Sequence, residues 1–177
     1  MIFFVRHGRT DYNDNFLMCG GDVDVPINKT GKQQAKMTAD LLKNEKIDLV
    51  YCSPLVRAKE TCEAILKFHK GVKVVYDERL KEFIYGEING KICFEHDEYI
   101  WRLDNKKYGS GAETLQHFYD RIKSFIDEVY PESKDKTILI VAHNGVGRVL
   151  KWIFYGPPKS GDLNEYDVKN CEILKFK

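Results

Sequence analysis

The residues of this chain that could do chemistry together stand directly after predicted strands. Arg6 and His7 follow a short apolar run at the start of the sequence. Arg57 lies in the first turn of a helix predicted behind a second run, and His143 follows a fourth run. Guanidinium groups bind oxyanions through paired hydrogen bonds, and a neutral imidazole can act as a nucleophile or carry a proton. The combination predicts a site for a small anion, and these groups could perform phosphoryl transfer there.

The elements that must position these residues alternate along the chain. Apolar runs predict strands at residues 2–5, 47–52, 72–76 and 137–142, and a closing strand at 171–176. Helices are predicted to begin with capping sequences at Thr30, at Ser53-Pro54 and at Ser110, and a last helix is predicted at 145–155. This order predicts an α/β fold, a three-layer sandwich with a mainly parallel central sheet, in one domain covering residues 1–177.

A parallel sheet would bring the candidate residues together. The carboxyl ends of parallel strands meet at one edge, where open α/β sheets bind their ligands. Each histidine also has a glycine within two residues, Gly8 and Gly145, which lets a ligand approach the backbone closely. We therefore expect one anion site, beside the N-termini of two helices, where free N–H groups favour negative charge.

Charge and composition exclude several classes of protein. The chain has 28 basic and 27 acidic residues, and their even mixing predicts no nucleic-acid partner. A hydrophobic content of 43% is enough for a core and argues against disorder. The apolar run at residues 1–5 is far shorter than a signal peptide or a membrane span, so we expect no membrane partner and a cytoplasmic location.

The cysteines and carboxylates do not form a metal-binding pattern. The five cysteines include no C-x-x-C pair, which favours reduced thiols over a disulfide framework or a zinc site. No carboxylate cluster or H-x-x-x-H pair is present in the sequence. We expect no metal and no other cofactor, and nothing in the sequence indicates an oligomeric state.

Five sequence blocks, in order, resemble the histidine phosphatase superfamily, the phosphoglycerate mutase-like proteins. Residues 6–13, RHGRTDYN, match the signature R-H-G-x-T-x-x-N. Residues 26–35 are similar to P-L-T-x-x-G-x-x-Q-A, and residues 53–61 to S-P-L-x-R-A-x-x-T. Residues 80–90 are similar to L-x-E-x-x-x-G-x-x-x-G, and residues 141–143 supply a second histidine. A phosphoglycerate mutase-like fold is therefore expected.

The resemblance implies a role for each catalytic candidate. His7 would become a phosphohistidine, while Arg6 and Arg57 would bind the phosphoryl oxygens. His143 would donate to a phosphoryl oxygen, and Glu82 would be the general acid that protonates the leaving alkoxide and then activates water. Substrate contacts are assigned to four further residues: Asn13, Gly21, Arg9 and Asn144. Arg9 stands where the family often has Glu or Gln, which indicates either a polyanionic substrate or a solvent-exposed side chain.

Residues outside these motifs receive simpler interpretations. Glu113 is interpreted as a helix-capping residue. His69, His96 and His117 are expected at the surface. Aromatic residues of the weakly patterned segment 90–110, namely Tyr99, Trp101 and Tyr108, are expected either to form a lid or substrate wall or simply to pack.

The resulting hypothesis is a metal-independent phosphatase of the histidine acid type. It would hydrolyse a small phosphorylated metabolite through phosphohistidine. A bisphosphoglycerate-dependent phosphoglycerate mutase is the first alternative, disfavoured because mutases have longer chains that shelter phosphohistidine from water. The second alternative is a phospho-ligand binding module without turnover, for which neither His7 nor Glu82 would be needed.

Overall fold

A single five-stranded sheet carries the site in the computed structural model, which describes residues 1–93 and 97–177. The strand order is β3-β2-β4-β1-β5. Neighbours among β1 to β4 pair in parallel, and β5 pairs with β1 in the antiparallel direction. The strands are β1 (Ile2–Arg6), β2 (Leu49–Cys52), β3 (Lys73–Tyr76), β4 (Ile138–Ala142) and β5 (Ile173–Phe176). The prediction of a mainly parallel sheet is confirmed.

Helices cover both faces of the sheet. They are α1 (Asp11–Asp14), α2 (Lys29–Leu42), α3 (Val56–Leu66), α4 (Asp97–Ile100), α5 (Leu115–Val129) and α6 (Asn144–Tyr155). Successive side chains of a strand point to opposite faces. In β1, Phe3 therefore packs in one core with α2 and α3, and Phe4 packs in the other with α5 and α6. The three-layer α/β sandwich is thus confirmed. Within residues 1–93 and 97–177, no helix is long and apolar enough to cross a bilayer.

The helix starts differ from those that the capping sequences predicted. Helix α2 begins at Lys29, because Asn28 accepts the Gly31 N–H at 3.0 Å and Thr30 lies inside the helix. Helix α3 begins at Val56, whose N–H is bound at 2.7 Å by Asp24 from a distant loop, so the predicted cap at Ser53 is wrong. The sequence pattern could not show a cap that comes from another part of the chain.

The third predicted cap is also wrong. Helix α5 begins after Thr114, which accepts the His117 N–H at 3.1 Å, instead of at Ser110. Glu113 does not cap this helix either. Its carboxylate accepts the Ile84 N–H at 2.9 Å and pairs with Arg121, because the chain folds back toward the segment that follows β3.

Of the three histidines expected at the surface, one is exposed, one is buried and one lies outside the described residues. His117 is exposed. His69 is only 9% exposed, because the chain reverses at Gly71, with φ of 79°, to enter β3 and folds His69 against the protein. The expectation for His69 is therefore wrong. His96 lies outside the described residues.

Candidate active site

A small cleft lies at the carboxyl ends of β1 and β4, where the sequence predicted the ligand site. Its volume is about 80 Å³. At about 30 Å³ for each water in the liquid, that is room for two or three water molecules, the size of a phosphate group. We call it the strand-end cleft. Its lining includes Arg6, His7, Asn13, Cys19, Glu82, Tyr85, Cys93, Trp101, Asn144 and Arg148, with Leu17 and Met18.

His7 is held as a neutral ring with a defined tautomer. It follows β1, and its backbone N–H donates to the Ala142 carbonyl of β4 at 2.9 Å. Its Nδ1 lies 2.7 Å from the Gly8 carbonyl oxygen. Because a carbonyl only accepts, Nδ1 carries the proton and Nε2 keeps its lone pair. Burial, followed by the charges of Arg57 and Arg6, holds the pKa of His7 well below its usual value. A neutral ring of this kind is a competent nucleophile.

His143 stands next to His7 at the end of β4. The two ring centroids are 5.1 Å apart, and the His143 ring is fully buried. Its Nε2 lies 2.7 Å from the Ser53 hydroxyl at the end of β2. Burial lowers the pKa of His143 well below its usual value, and Arg57 lowers it further. Ser53 therefore does not cap a helix; instead it orients the second histidine.

Glu82 is buried beside the start of α6. Its two carboxylate oxygens accept the backbone N–H groups of Phe83, at 2.8 Å, and of Gly145, at 3.1 Å. A Cβ at position 145 would overlap Glu82 Oε1 and the Trp101 ring, so this position needs glycine. Gly145 thus leaves room for the Glu82 carboxylate, in addition to letting a ligand approach the backbone closely.

A partly buried ion pair fixes the backbone on both sides of Glu82. The guanidinium group of Arg121 donates to the Glu82 carbonyl at 2.9 Å and to the Lys81 carbonyl at 2.8 Å. The same group binds Glu113 at 2.7 Å, and Glu113 accepts the Ile84 N–H at 2.9 Å. We call this pair, Arg121 and Glu113, the clamp. It connects α5 to the segment that carries the candidate acid.

Buried nitrogen atoms without hydrogen-bond partners are concentrated around the cleft. In the described part of the chain, five such nitrogens are Nε of Arg6, Arg57 and Arg148, Nε1 of Trp101 and Nδ1 of His143. Buried polar groups are nearly always hydrogen-bonded in folded proteins, so a cluster of unpaired nitrogens marks a place where a ligand can supply the acceptors. The arginine charges make an anion the suitable ligand.

Arg6 and Arg57 are anchored differently. Arg6 lines the cleft, and its Nη1 donates to the Val168 carbonyl at 2.6 Å. Arg57 is fully buried, and its Nη atoms donate to the carbonyls of Val23, at 2.6 Å, and of Gly20, at 3.0 Å. It acts on both histidines through its charge. A direct phosphate contact by Arg57 stays a prediction.

The four residues predicted to contact the substrate lie at different positions relative to the cleft. Asn13 lines the cleft, and its Oδ1 accepts the Thr10 N–H at 3.1 Å, which leaves Nδ2 to donate to a ligand. Asn144 lines the cleft but binds Asp167 at 2.6 Å. The Gly21 N–H donates to the Phe83 carbonyl at 3.0 Å, so this glycine packs beside the segment that carries Glu82. Substrate contact by these three stays a prediction.

Arg9 does not line the cleft. Its side chain is 37% exposed and pairs with Asp14 at 2.6 Å. Arg9 was interpreted either as a sign of a polyanionic substrate or as a solvent-exposed side chain. Its placement agrees with the second interpretation, because a guanidinium group paired outside the cleft makes no contact with a phosphate bound inside it.

Several site residues were missed in the sequence, and three of them make polar contacts that matter for the site. Arg148 lines the cleft, stacks 4.6 Å from the Trp101 ring centroid and pairs with Asp167 at 3.0 Å. Its spacing of four residues from Asn144 places both on one helix face, which was a usable signal. Asn170 Nδ2 donates to the His7 carbonyl at 3.0 Å, and Ser53 binds His143. No local pattern marks Asn170, because it reaches His7 from the far end of the chain.

The fold and the cleft together define an α/β enzyme that handles phosphate groups. The chain belongs to the histidine phosphatase superfamily (branch 1), whose sequence profile matches residues 2–177. The expected family is therefore confirmed, along with its phosphoglycerate mutase-like fold.

Individual relatives agree with this membership. A probable phosphatase of Schizosaccharomyces pombe is 34% identical over 155 residues, covering 86% of this chain and 72% of its own. Phosphoserine phosphatase 1 of Hydrogenobacter thermophilus is 30% identical, covering 99% of this chain and 83% of its own. Among solved structures, a mycobacterial glucosyl-3-phosphoglycerate phosphatase is similar with a TM-score of 0.83 and 25% identity, covering 97% of this chain and 90% of its own.

Proposed function

We propose that this protein hydrolyses phosphomonoesters of small metabolites through a phosphohistidine formed on His7. One observation carries the proposal: a buried, neutral His7 ring whose Nδ1 is bound to the Gly8 carbonyl, in a cleft of phosphate size. Relatives named as phosphatases support hydrolysis over the mutase alternative. Residues 1–177 act as one catalytic domain in this proposal, and the free thiols of all five cysteines support a cytoplasmic location.

The first half of the reaction forms the phosphoenzyme. The lone pair of His7 Nε2 attacks phosphorus, and the bond between phosphorus and the ester oxygen breaks. Protonated Glu82 gives its proton to the departing alkoxide, so an alcohol leaves. Arg6 and His143 stabilise the charge that spreads over the phosphoryl oxygens.

The second half restores the enzyme. Glu82, now a carboxylate, accepts a proton from a water molecule while that water attacks phosphorus. The bond between phosphorus and His7 Nε2 breaks, inorganic phosphate leaves, and Glu82 is again protonated. The clamp matters in both halves, because the same carboxyl group must stay within reach of the alkoxide and of the water.

Trapping the phosphoenzyme tests this mechanism. The protein is incubated with a phosphomonoester, quenched without acid, and analysed for phosphate bound to histidine. Wild type and the His117→Ala variant, which lacks an exposed histidine outside the cleft, are expected to be labelled at His7. The His7→Ala variant is expected to lose both label and turnover. An active His7→Ala variant would disprove the mechanism.

The same preparation separates the alternatives. Conversion of 3-phosphoglycerate in the presence of bisphosphoglycerate, with little release of inorganic phosphate, would indicate a mutase. Phosphate binding without any phosphohistidine or turnover would indicate a binding module. The proposed phosphatase releases one inorganic phosphate for each ester consumed.

A further inference from the structure

A second, larger cleft lies next to the strand-end cleft. Its volume is about 620 Å³, within the range typical of small-molecule sites. We call it the aromatic cleft, because its walls include Phe83, Tyr85, Tyr99 and Tyr108 together with Ile88 and Ile100. The strand-end cleft, at about 80 Å³, holds a phosphoryl group and is too small to enclose the rest of a metabolite as well. The alcohol part of a substrate therefore needs a separate place.

The two clefts are neighbours, with packed aromatic side chains between them. Tyr85 lines both of them. Phe83 contacts Tyr108 on one side, with ring centroids 6.3 Å apart, and Trp101 on the other, at 5.5 Å. Trp101 in turn lines the strand-end cleft. Phe83 and Trp101 are 0% and 1% exposed, so the accessible wall that the two clefts share is Tyr85, and a substrate bound in one cleft would extend past Tyr85 into the other.

The position of the candidate acid indicates which part of the substrate enters the aromatic cleft. Glu82 lines the strand-end cleft, and the next residue, Phe83, lines the aromatic cleft. The ester oxygen must lie within hydrogen-bond reach of Glu82 when it leaves. The carbon atoms attached to that oxygen are therefore directed toward the side where Phe83 and Tyr85 form the wall.

The wall favours a particular chemistry. Aromatic side chains bind flat rings by offset or edge-to-face contact. Phe83 is fully buried and Tyr85 is 7% exposed, so packing fixes the inner part of the wall. A polyhydroxylated group against the ring faces would lose hydrogen bonds to water that carbon atoms do not replace. Polar lining groups such as Asn105 and Lys107 lie on the exposed or half-exposed part of the wall.

We infer that the aromatic cleft is the leaving-group site and selects phosphomonoesters of alcohols that carry a flat aromatic ring. This inference rests on the proposed phosphatase function of the strand-end cleft. Tyr108 and Tyr99 are the specificity-determining residues, since they belong to the aromatic wall without lining the strand-end cleft.

Steady-state kinetics with two primary-alcohol esters test the inference. 2-Naphthylmethyl phosphate fills the aromatic cleft, whereas ethyl phosphate is too short to reach it. The Tyr108→Ala variant is expected to raise KM for the naphthylmethyl ester about tenfold, with less than a twofold change for ethyl phosphate. Tyr99 is 64% exposed, so Tyr99→Ala keeps the fold and is expected to act in the same direction. Tyr108→Phe, which keeps the ring, should behave as wild type.

The controls distinguish a failure of the leaving-group site from a failure of the phosphatase function. Tyr155→Ala removes a tyrosine that is 63% exposed and lies outside both clefts, and should leave both KM values unchanged. Equal changes for both esters in Tyr108→Ala and Tyr99→Ala, or a wild-type kcat/KM higher for glucose 6-phosphate than for the naphthylmethyl ester, would overturn the leaving-group site while leaving the phosphatase intact. Hydrolysis of none of the three esters by wild type, without any phosphohistidine, would overturn the phosphatase function and this inference together.

Discussion

The strand-end cleft and the aromatic cleft differ in how they are built. The first is formed at the ends of β1 and β4, where parallel pairing holds Arg6 opposite Ala142 and so fixes the residues that follow. The second is lined by residues that lie outside the sheet, at 83–91 and 105–112, with Tyr99 and Ile100 from α4. A sheet edge gives charged groups the fixed geometry that phosphoryl transfer needs, while irregular chain can vary without disturbing that geometry. Reaction and selectivity are thus assigned to different parts of the fold.

The two clefts also differ in chemistry. Buried cations and imidazoles with unpaired nitrogens surround the smaller cleft, and aromatic rings surround the larger one. Glu82 and Phe83, adjacent in sequence, lie one on each side of the boundary. The comparison therefore makes the boundary, and the clamp that fixes it, the most informative place for substitutions.

Removal of the candidate acid should have the largest effect. Glu82→Ala is expected to lower kcat for ethyl phosphate about 10²- to 10⁴-fold, because an alkoxide leaves poorly without a proton donor. With 4-nitrophenyl phosphate, whose leaving group needs no proton, a burst of one nitrophenolate per enzyme should precede slow turnover, since Glu82 also activates water. Rapid-mixing absorbance measurements would show the burst.

The control for this substitution is Glu78→Ala. Glu78 is a surface carboxylate, 74% exposed, that pairs with Lys81 at 2.7 Å. Its removal should leave both esters unaffected. If Glu82→Ala slowed both esters equally and gave no burst, Glu82 would hold the boundary together without transferring a proton.

Loosening the clamp should have a smaller effect of the same kind. Arg121→Gln removes the bonds to the Lys81 and Glu82 carbonyls, and a displacement of Glu82 by about 1 Å would lower kcat for ethyl phosphate roughly 10- to 100-fold. First-step rates with 4-nitrophenyl phosphate should fall less, which distinguishes mispositioned acid from general damage. Arg79→Gln, which breaks the half-buried pair with Asp77 and the pair with the exposed Glu128, is the control. Equal losses for both esters would argue for a purely structural role.

Mild acidification should weaken the fold through two buried histidines, His7 and His143. His7 and His143 have pKa values held well below the usual value in the folded protein, so the unfolded chain takes up more protons below about pH 6.5. Between pH 7.5 and 5.5 the free energy of unfolding should therefore fall, by at most about 1.4 kcal/mol for each of the two rings. Urea unfolding at both pH values measures it. His143→Asn should reduce the fall by one ring's share, and an unchanged fall would show that His143 titrates normally.

The smallest effect is expected for a substitution of Ser53, which follows β2 and orients His143. Ser53→Ala removes one hydrogen bond to His143, worth about 1 kcal/mol, so kcat should fall roughly fivefold for both esters. Equal loss is expected because Ser53 serves phosphoryl binding and has no part in leaving-group departure. A loss confined to one ester, seen in parallel kcat measurements, would contradict the separation between the two clefts.

The strand ends were predictable because they combine local signals. Apolar runs located β1 and β4 to within a residue or so. Parallel pairing of these strands brings together the residues that follow them, and the ring centroids of His7 and His143 are 5.1 Å apart. Glu82 could be placed only by family resemblance, since its partner Gly145 lies 63 residues away. The contacts to the substrate are untested and stay predictions.

Features that depend on distant partners were not predictable. The start of α3 is set by Asp24, and Glu113 pairs with Arg121 and Ile84 instead of capping α5. In each case the predicted local cap is replaced by a partner from another segment. Packing brings that partner into contact, so no short sequence window contains it. The aromatic cleft is a similar case, because its walls have no periodic pattern.

The pairing of β1 with β5 has a consequence for protein synthesis. The nucleophile is encoded at position 7, yet Asn170 binds its carbonyl, and Ile173 to Phe176 pair with the strand in front of it. Because a ribosome adds only about 5 to 20 residues each second, β1 must wait many seconds for these partners. Nascent chains arrested before residue 176 has left the exit tunnel are expected to form no phosphohistidine, and release should switch the reaction on. Early labelling would show that β4 alone is sufficient.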